Sequence, residues 1–147
     1  MKANDPYETD RVLREYLLFH YGSEKETLSL GIGPREALGF CVRSVKLLLD
    51  EKSLPRKARA LDLGCAVGRS SFELAKSCSE VLGIDKSSAF VRTAEILRET
   101  GEFTFESAKQ GQISQSLVAR VEDEVDRSRV RFEMGDACSL PDDLAVF

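Results

Sequence analysis

Ala60-Leu61-Asp62-Leu63-Gly64-Cys65-Ala66-Val67-Gly68-Arg69 is the stretch whose reading decides the fold. Ala60 to Leu63 is short and apolar, as a buried parallel strand is. Small residues from Gly64 to Gly68 then carry the chain into a helix that the pattern runs from Arg69 to Ser77. A strand entering a helix through such a turn lets a ligand approach the backbone closely. The helix start also offers unpaired N–H groups.

Two ligand classes use this geometry, and spacing separates them. A dinucleotide fingerprint needs small residues at the first, third and sixth places of the turn. Counted from Gly64, those places hold Gly64, Ala66 and Arg69, and Arg69 breaks the pattern. An S-adenosylmethionine turn needs small residues at the first, third and fifth places, with an acid two residues before the first. Gly64, Ala66, Gly68 and Asp62 satisfy it, with Ala66 as the one departure from glycine.

Working outward, Val81-Leu82-Gly83-Ile84 reads as a second strand ending at Asp85, 21 residues after Gly64. A carboxylate there is placed to accept from ribose hydroxyls. Its plainer role, capping the next helix, is one that Ser87 or Ser88 can fill. That helix buries Phe90, Val91, Ala94 and Leu97 and stops at Gly101. Val130 to Met134 alternates as a third strand, closed by Gly135-Asp136-Ala137. Asp136 is either an ordinary turn residue or an acceptor for an adenine amino group. Three acids at the carboxyl ends of three successive strands favour the ligand reading, because open α/β sheets bind ligands at that edge.

The remaining segments read as follows. Thr9 or Asp10 caps a first helix with Leu13, Tyr16, Leu17 and His20 on one face, ended by Gly22. Ser23 to Gly33 reads as a loop. A second helix starts at Pro34 and reaches about Asp50, and Lys52 to Arg59 is a linker. Between Glu102 and Arg129 the stripe Ile113, Leu117, Val118, Val121 and Val125 predicts a further helix. Its charged face (Glu122, Asp123, Asp126, Arg127) is expected to be solvated. Ala145-Val146-Phe147 reads as the first step of another strand. The order strand, helix, strand, helix, strand predicts a parallel α/β sheet with right-handed crossovers.

Composition narrows the function classes. The 147 residues amount to about one domain, with a net charge of −4 that argues against nucleic acid as partner. Cys41, Cys65, Cys78 and Cys138 form no C-x-x-C pair, so neither a zinc site nor any other metal is expected. No apolar run reaches membrane-spanning length and the start lacks a signal-peptide pattern, which predicts a cytoplasmic protein without membrane contact.

Asp62 to Gly68, Gly83-Ile84-Asp85 and Gly135-Asp136-Ala137 resemble the first three motifs of the class I S-adenosylmethionine-dependent methyltransferases. Pro6-Tyr7-Glu8-Thr9-Asp10, Glu15 to Gly22, Ala60 to Leu74 and Gly135-Asp136-Ala137-Cys138 further resemble the methyltransferase domain of ovothiol biosynthesis, a 4-mercaptohistidine N1-methyltransferase. The resemblance implies a Rossmann-like α/β fold of which this chain holds the N-terminal part, the C-terminal strands being missing. Residues 1–51 would form a helical lid, and residues 58–147 an incomplete S-adenosylmethionine-binding domain. Cofactor-binding residues would be Asp62, Gly64, Cys65, Ala66, Gly68, Asp85, Asp136 and Ala137. Tyr7, Tyr16, His20 and Tyr21 are the candidates for meeting a small-molecule substrate, a histidine-derived thiol. Each of the four also fits plain core packing, and Cys65 fits a small filler. Arg69 fits either the cofactor carboxylate or solvent. No catalytic residue is assigned. A second reading is a non-catalytic module that binds the cofactor or pairs with a partner chain completing the sheet, because the first strand would otherwise be an open edge.

Overall fold

The computed structural model describes residues 6–28, 31–110, 113–142, 144 and 147. Helix α1 (Asp10–Tyr21) starts where the Thr9 hydroxyl accepts from the Val12 N–H at 3.3 Å, and it ends at Gly22. Its residue Leu17 is completely buried, in the same apolar core as Val67, Phe72, Val81 and Leu97. The next stretch departs from the expected loop. Ser23 and Glu26 form a capping box, so Glu24–Thr27 closes as a short helix, α2. The expected helix from Pro34 is broken. Arg35–Ala37 is a single 3-10 turn, and Gly39, at φ 63°, starts α3 (Phe40–Leu48) afresh. A left-handed residue cannot continue a right-handed helix, which is the physical reason for the break.

Strands β1 (Arg59–Leu63), β2 (Glu80–Asp85) and β5 (Val130–Met134) form a parallel sheet in the order β1-β2-β5. The register pairs Leu63 with Ile84 and Asp85 with Met134, so the three strands end along one edge. Helix α4 (Arg69–Leu74) connects β1 to β2, and α5 (Ser88–Thr100) leads out of β2. Helix α5 buries Phe90, Val91, Ala94 and Leu97 as expected and is closed by Gly101 at φ 84°. Glu95 fixes it to the sheet by accepting the Phe132 N–H at 2.9 Å. Among the described residues β1 pairs on one side only.

The helix expected between Glu102 and Arg129 is instead an antiparallel hairpin, β3 (Glu102–Gln110) with β4 (Ile113–Arg120). Ile113, Leu117, Val121 and Val125 recur every fourth residue, a spacing that fits a helical face and a strand face equally. The deciding signal lies upstream. Phe103, Phe105 and Ser107 turn inward while Glu102, Thr104 and Glu106 face solvent, a strict period of two. Val118, placed in the helical stripe, is 41% exposed on the outer face. Phe105 and Ala119 join the core beside α1 and α5. Of the expected last strand, residues 145 and 146 lie outside the described residues.

Candidate functional site

A cleft of about 340 Å³ opens at the carboxyl edge of the sheet. The turn after β1 contributes Gly64 and Ala66, the end of β2 contributes Asp85 and Lys86, and Asp136 and Ala137 follow β5. Tyr7 and Tyr16 from the N-terminal segment form its far wall, with Phe90 behind them. Seven of the residues expected to bind a ligand therefore line one cavity: Tyr7, Tyr16, Gly64, Ala66, Asp85, Asp136 and Ala137.

The glycine turn is held by backbone geometry. Ile84 O accepts from the N–H groups of Gly64 (2.8 Å) and Cys65 (3.1 Å), stitching the turn to β2. Gly64, Ala66 and Gly68 all have left-handed backbones, at φ 74°, 48° and 81°. A side chain at Gly64 would meet nothing within 4 Å, so the space in front of this peptide is open to a ligand. Gly68 is different, because a Cβ there would lie 2.5 Å from the Phe132 ring. It is glycine for packing, not for approach to the cleft.

Asp85 is oriented through both oxygens. Oδ2 accepts the Ala66 N–H at 2.9 Å and Oδ1 accepts the Ser87 N–H at 2.9 Å. A carboxylate has about four lone-pair sites, so acceptor capacity remains for a ligand. Asp136 accepts the Cys138 N–H at 2.9 Å and faces Lys86 Nζ at 3.5 Å. Those two contacts, the backbone donor first, hold its carboxyl below the ordinary range. Three rings close the opposite side. Tyr16 packs on Phe90 at 4.7 Å between centroids, and Tyr7 meets both edge-on at 6.2–6.3 Å. Burial pushes the Tyr16 hydroxyl above its usual pKa, with Tyr7 and Asp85 adding to it.

The N-terminal segment is pinned over the cleft. Glu8 accepts from the Ser88 N–H at 2.6 Å and the Ser88 hydroxyl at 2.7 Å, and the Ser87 hydroxyl donates to Tyr7 O at 3.0 Å. An acid at the first turn of α5 is favoured by the helix dipole as well as by these bonds.

Five expected residues lie outside the cleft lining. Asp62 turns into the protein and accepts the Ser71 hydroxyl at 2.6 Å. Burial raises its pKa, and the Ser71 bond opposes that rise. Cys65 is 3% exposed, and burial drives its thiol far above the reactive range. Gly68 packs on Phe132. Tyr21 donates its hydroxyl to Val67 O at 2.8 Å, behind the turn. His20 lies against Tyr16 and Phe19, and burial, with Arg69 nearby, lowers its pKa to about 4.

Arg69 also has a definite place. It donates to Glu122 Oε1 at 2.6 Å, while Lys76 bonds the other Glu122 oxygen. Glu122 is exposed, as expected, and is also an ion-pair centre whose carboxyl is lowered to about 2, by Lys76 first and Arg69 second. The cleft lining also includes Ile84, Lys86, Ser87, Phe90 and Gly135, which sequence reasoning does not place there. Lys86 directly follows Asp85 at the strand end, a position that signals it. Phe90, expected in the core, is buried there and lines the cleft as well.

Among solved structures, the YcgJ protein of Bacillus subtilis aligns at 24% identity over 67% of this chain and 32% of that chain, with a TM-score of 0.44. A SAM-dependent methyltransferase from Methanosarcina mazei aligns at 27% identity over 60% of this chain and 33% of that chain, with a TM-score of 0.38. The Synechocystis magnesium protoporphyrin IX methyltransferase with bound SAH aligns at 20% identity over 90% of this chain and 54% of that chain, with a TM-score of 0.42. The chain spans about a third of the length of the first two and about half of the third. No curated protein matches it in sequence. Residues 54–127, half of the chain, match the family described as Methyltransferase domain. This chain belongs to that family and carries its α/β, Rossmann-like parallel sheet.

Proposed function

We propose that the cleft binds S-adenosylmethionine and that the chain serves methyl transfer to a small molecule, the favoured acceptor being an imidazole nitrogen of a mercaptohistidine. The observation that carries the cofactor reading is the convergence of Gly64, Ala66, Asp85, Asp136 and Ala137 on one cavity. Its chemistry fits the group. Open space in front of Gly64 admits close approach, Asp85 has acceptor capacity for a ribose diol, and Asp136 has it for an exocyclic amine. Asp62, Cys65 and Gly68 act in this reading from behind, by holding the turn.

S-adenosylmethionine, held by Gly64, Ala66, Asp85 and Asp136, would supply a sulfonium methyl group for in-line displacement by an acceptor lone pair, the S–CH3 bond breaking as the new bond forms and S-adenosylhomocysteine leaving. The protein's own part is positioning and exclusion of water. Tyr7, Tyr16 and Phe90 wall the cleft with apolar rings, and Glu8 holds that wall in place. A neutral imidazole is nucleophilic without a strong base. His20 packs within the lid (residues 1–51), and Tyr21 reaches from it to the Val67 carbonyl of the turn.

The acceptor rests on the family resemblance of the Tyr7-to-Asp10 and Phe19-to-Gly22 strings and on the aromatic wall of Tyr7, Tyr16 and Phe90. The test is methyl transfer from labelled S-adenosylmethionine to mercaptohistidine, with histidine and a simple thiol as competitors. Label on mercaptohistidine nitrogen supports the reading, and label on another acceptor class overturns it. A second reading is a cofactor-binding module that turns over only with a partner chain; among the described residues β1 pairs on one side alone, which leaves room for such a partner. Saturable cofactor binding without any transfer would support it.

A further inference from the structure

The glycine turn is braced from behind as well as from the cleft. Tyr21, the last residue of α1, donates its hydroxyl to the carbonyl of Val67 at 2.8 Å, and Val67 is fully buried. Burial keeps the phenol neutral and therefore a donor. The Arg69 guanidinium lies 5.6 Å from the Tyr21 ring centroid and is itself held by Glu122, two residues beyond the end of β4. Lys76 joins Glu122 to the buried Glu73 at 2.9 Å. One run of contacts thus links α1, the turn, α4 and the base of the hairpin.

The two residues in the middle of the turn are consequently fixed at both ends. Ala66 presents its N–H to Asp85, and Val67 presents its C=O to Tyr21. Ala66 needs such fixation because it is a non-glycine residue at φ 48°. We propose that Tyr21 is a positioning residue for the ligand-binding turn, acting through the Val67 carbonyl, with Arg69 and Glu122 holding its ring. The inference rests on reading the cleft as a cofactor site. It adds that the N-terminal helix and the hairpin tune that site from outside its lining.

Tyr21→Phe in the full chain tests this, because it keeps the ring and deletes the hydroxyl alone. Leu13→Ala is the control, since it loosens the packing of α1 and leaves the hydrogen bond in place. Two readouts are needed: amide shifts and exchange at Ala66, Val67 and Gly68 without ligand, and calorimetric Kd for S-adenosylhomocysteine. Loss of one such bond predicts displaced turn amides, faster exchange there and a Kd raised about 3- to 10-fold. Leu13→Ala should lower Tm with the turn amides and Kd unchanged. Unmoved turn amides and Kd in Tyr21→Phe, or the same changes in Leu13→Ala, would overturn the proposal. If the wild-type chain binds no S-adenosylhomocysteine, the cofactor reading falls, while the ligand-free amides still decide the role of Tyr21.

Discussion

Asp85 Oδ2 accepts the backbone N–H of Ala66 at 2.9 Å, tying the end of β2 to the turn that follows β1. Its other oxygen takes the Ser87 N–H at the entry to α5. One carboxylate therefore fixes two backbone segments and faces the cleft between them. Replacing it with alanine removes two charge-assisted bonds, and the expected cost is about 2–4 kcal/mol of stability. Urea unfolding of Asp85→Ala measures this. A variant as stable as wild type would mean that the carboxylate does not organise the turn.

Gly64 and Gly68 look equivalent in sequence and should respond differently to alanine. Both have left-handed backbones, so each substitution carries about 1–2 kcal/mol of conformational strain. At Gly68 the added methyl also collides with the Phe132 ring. Gly68→Ala should therefore be the more destabilising by at least about 1 kcal/mol. Gly64→Ala places its methyl in open space where a ligand must approach, so its main effect should be on cofactor binding. Paired denaturation and binding measurements separate the two. Equal losses of stability would contradict the packing role of Gly68.

His20 makes stability depend on pH. Its folded pKa is lowered to about 4 from an ordinary value of 6.5, chiefly by burial. Between those values the unfolded chain binds the proton and the folded chain does not, so acidification favours unfolding. The stabilisation is complete above about pH 6.5 and is lost as pH falls toward 4. From pH 7 to pH 5 the expected loss is about 2 kcal/mol. His20→Asn should flatten that portion of the profile, read from urea midpoints at the two pH values. A wild-type profile already flat over this range would contradict the burial of His20 in neutral form.

Most of the site was legible because it is built from short local patterns. The turn Gly64 to Gly68, the acids at the ends of β2 and β5, the Ser87 cap and the Gly101 stop all act within a few residues of themselves, whereas Asp62 turns away from the cleft. The structure places Asp85 and Asp136 at one edge because the strands run parallel in a register that pairs Leu63 with Ile84 and Asp85 with Met134. What sequence reading missed depends on contacts far along the chain. Glu122 looked like one more surface acid, yet Arg69 and Lys76, 53 and 46 residues earlier, converge on it. The hairpin was hidden by the spacing of Ile113, Leu117 and Val121, which serves either period, although Phe103-Thr104-Phe105-Glu106 held the answer. Tyr21 and His20 sit on the same helix as Tyr16, and only packing shows that Tyr16 alone of the three lines the cleft.

The most direct test of the cofactor site is calorimetric titration of the chain with S-adenosylhomocysteine, comparing wild type with Asp85→Ala at a temperature where circular dichroism shows both folded. Loss of the ribose contacts at a charged acceptor predicts saturable binding by wild type and at least about tenfold weaker binding by the variant. Equal affinity in the two folded proteins, or no binding by folded wild type, would contradict the assignment of the cleft.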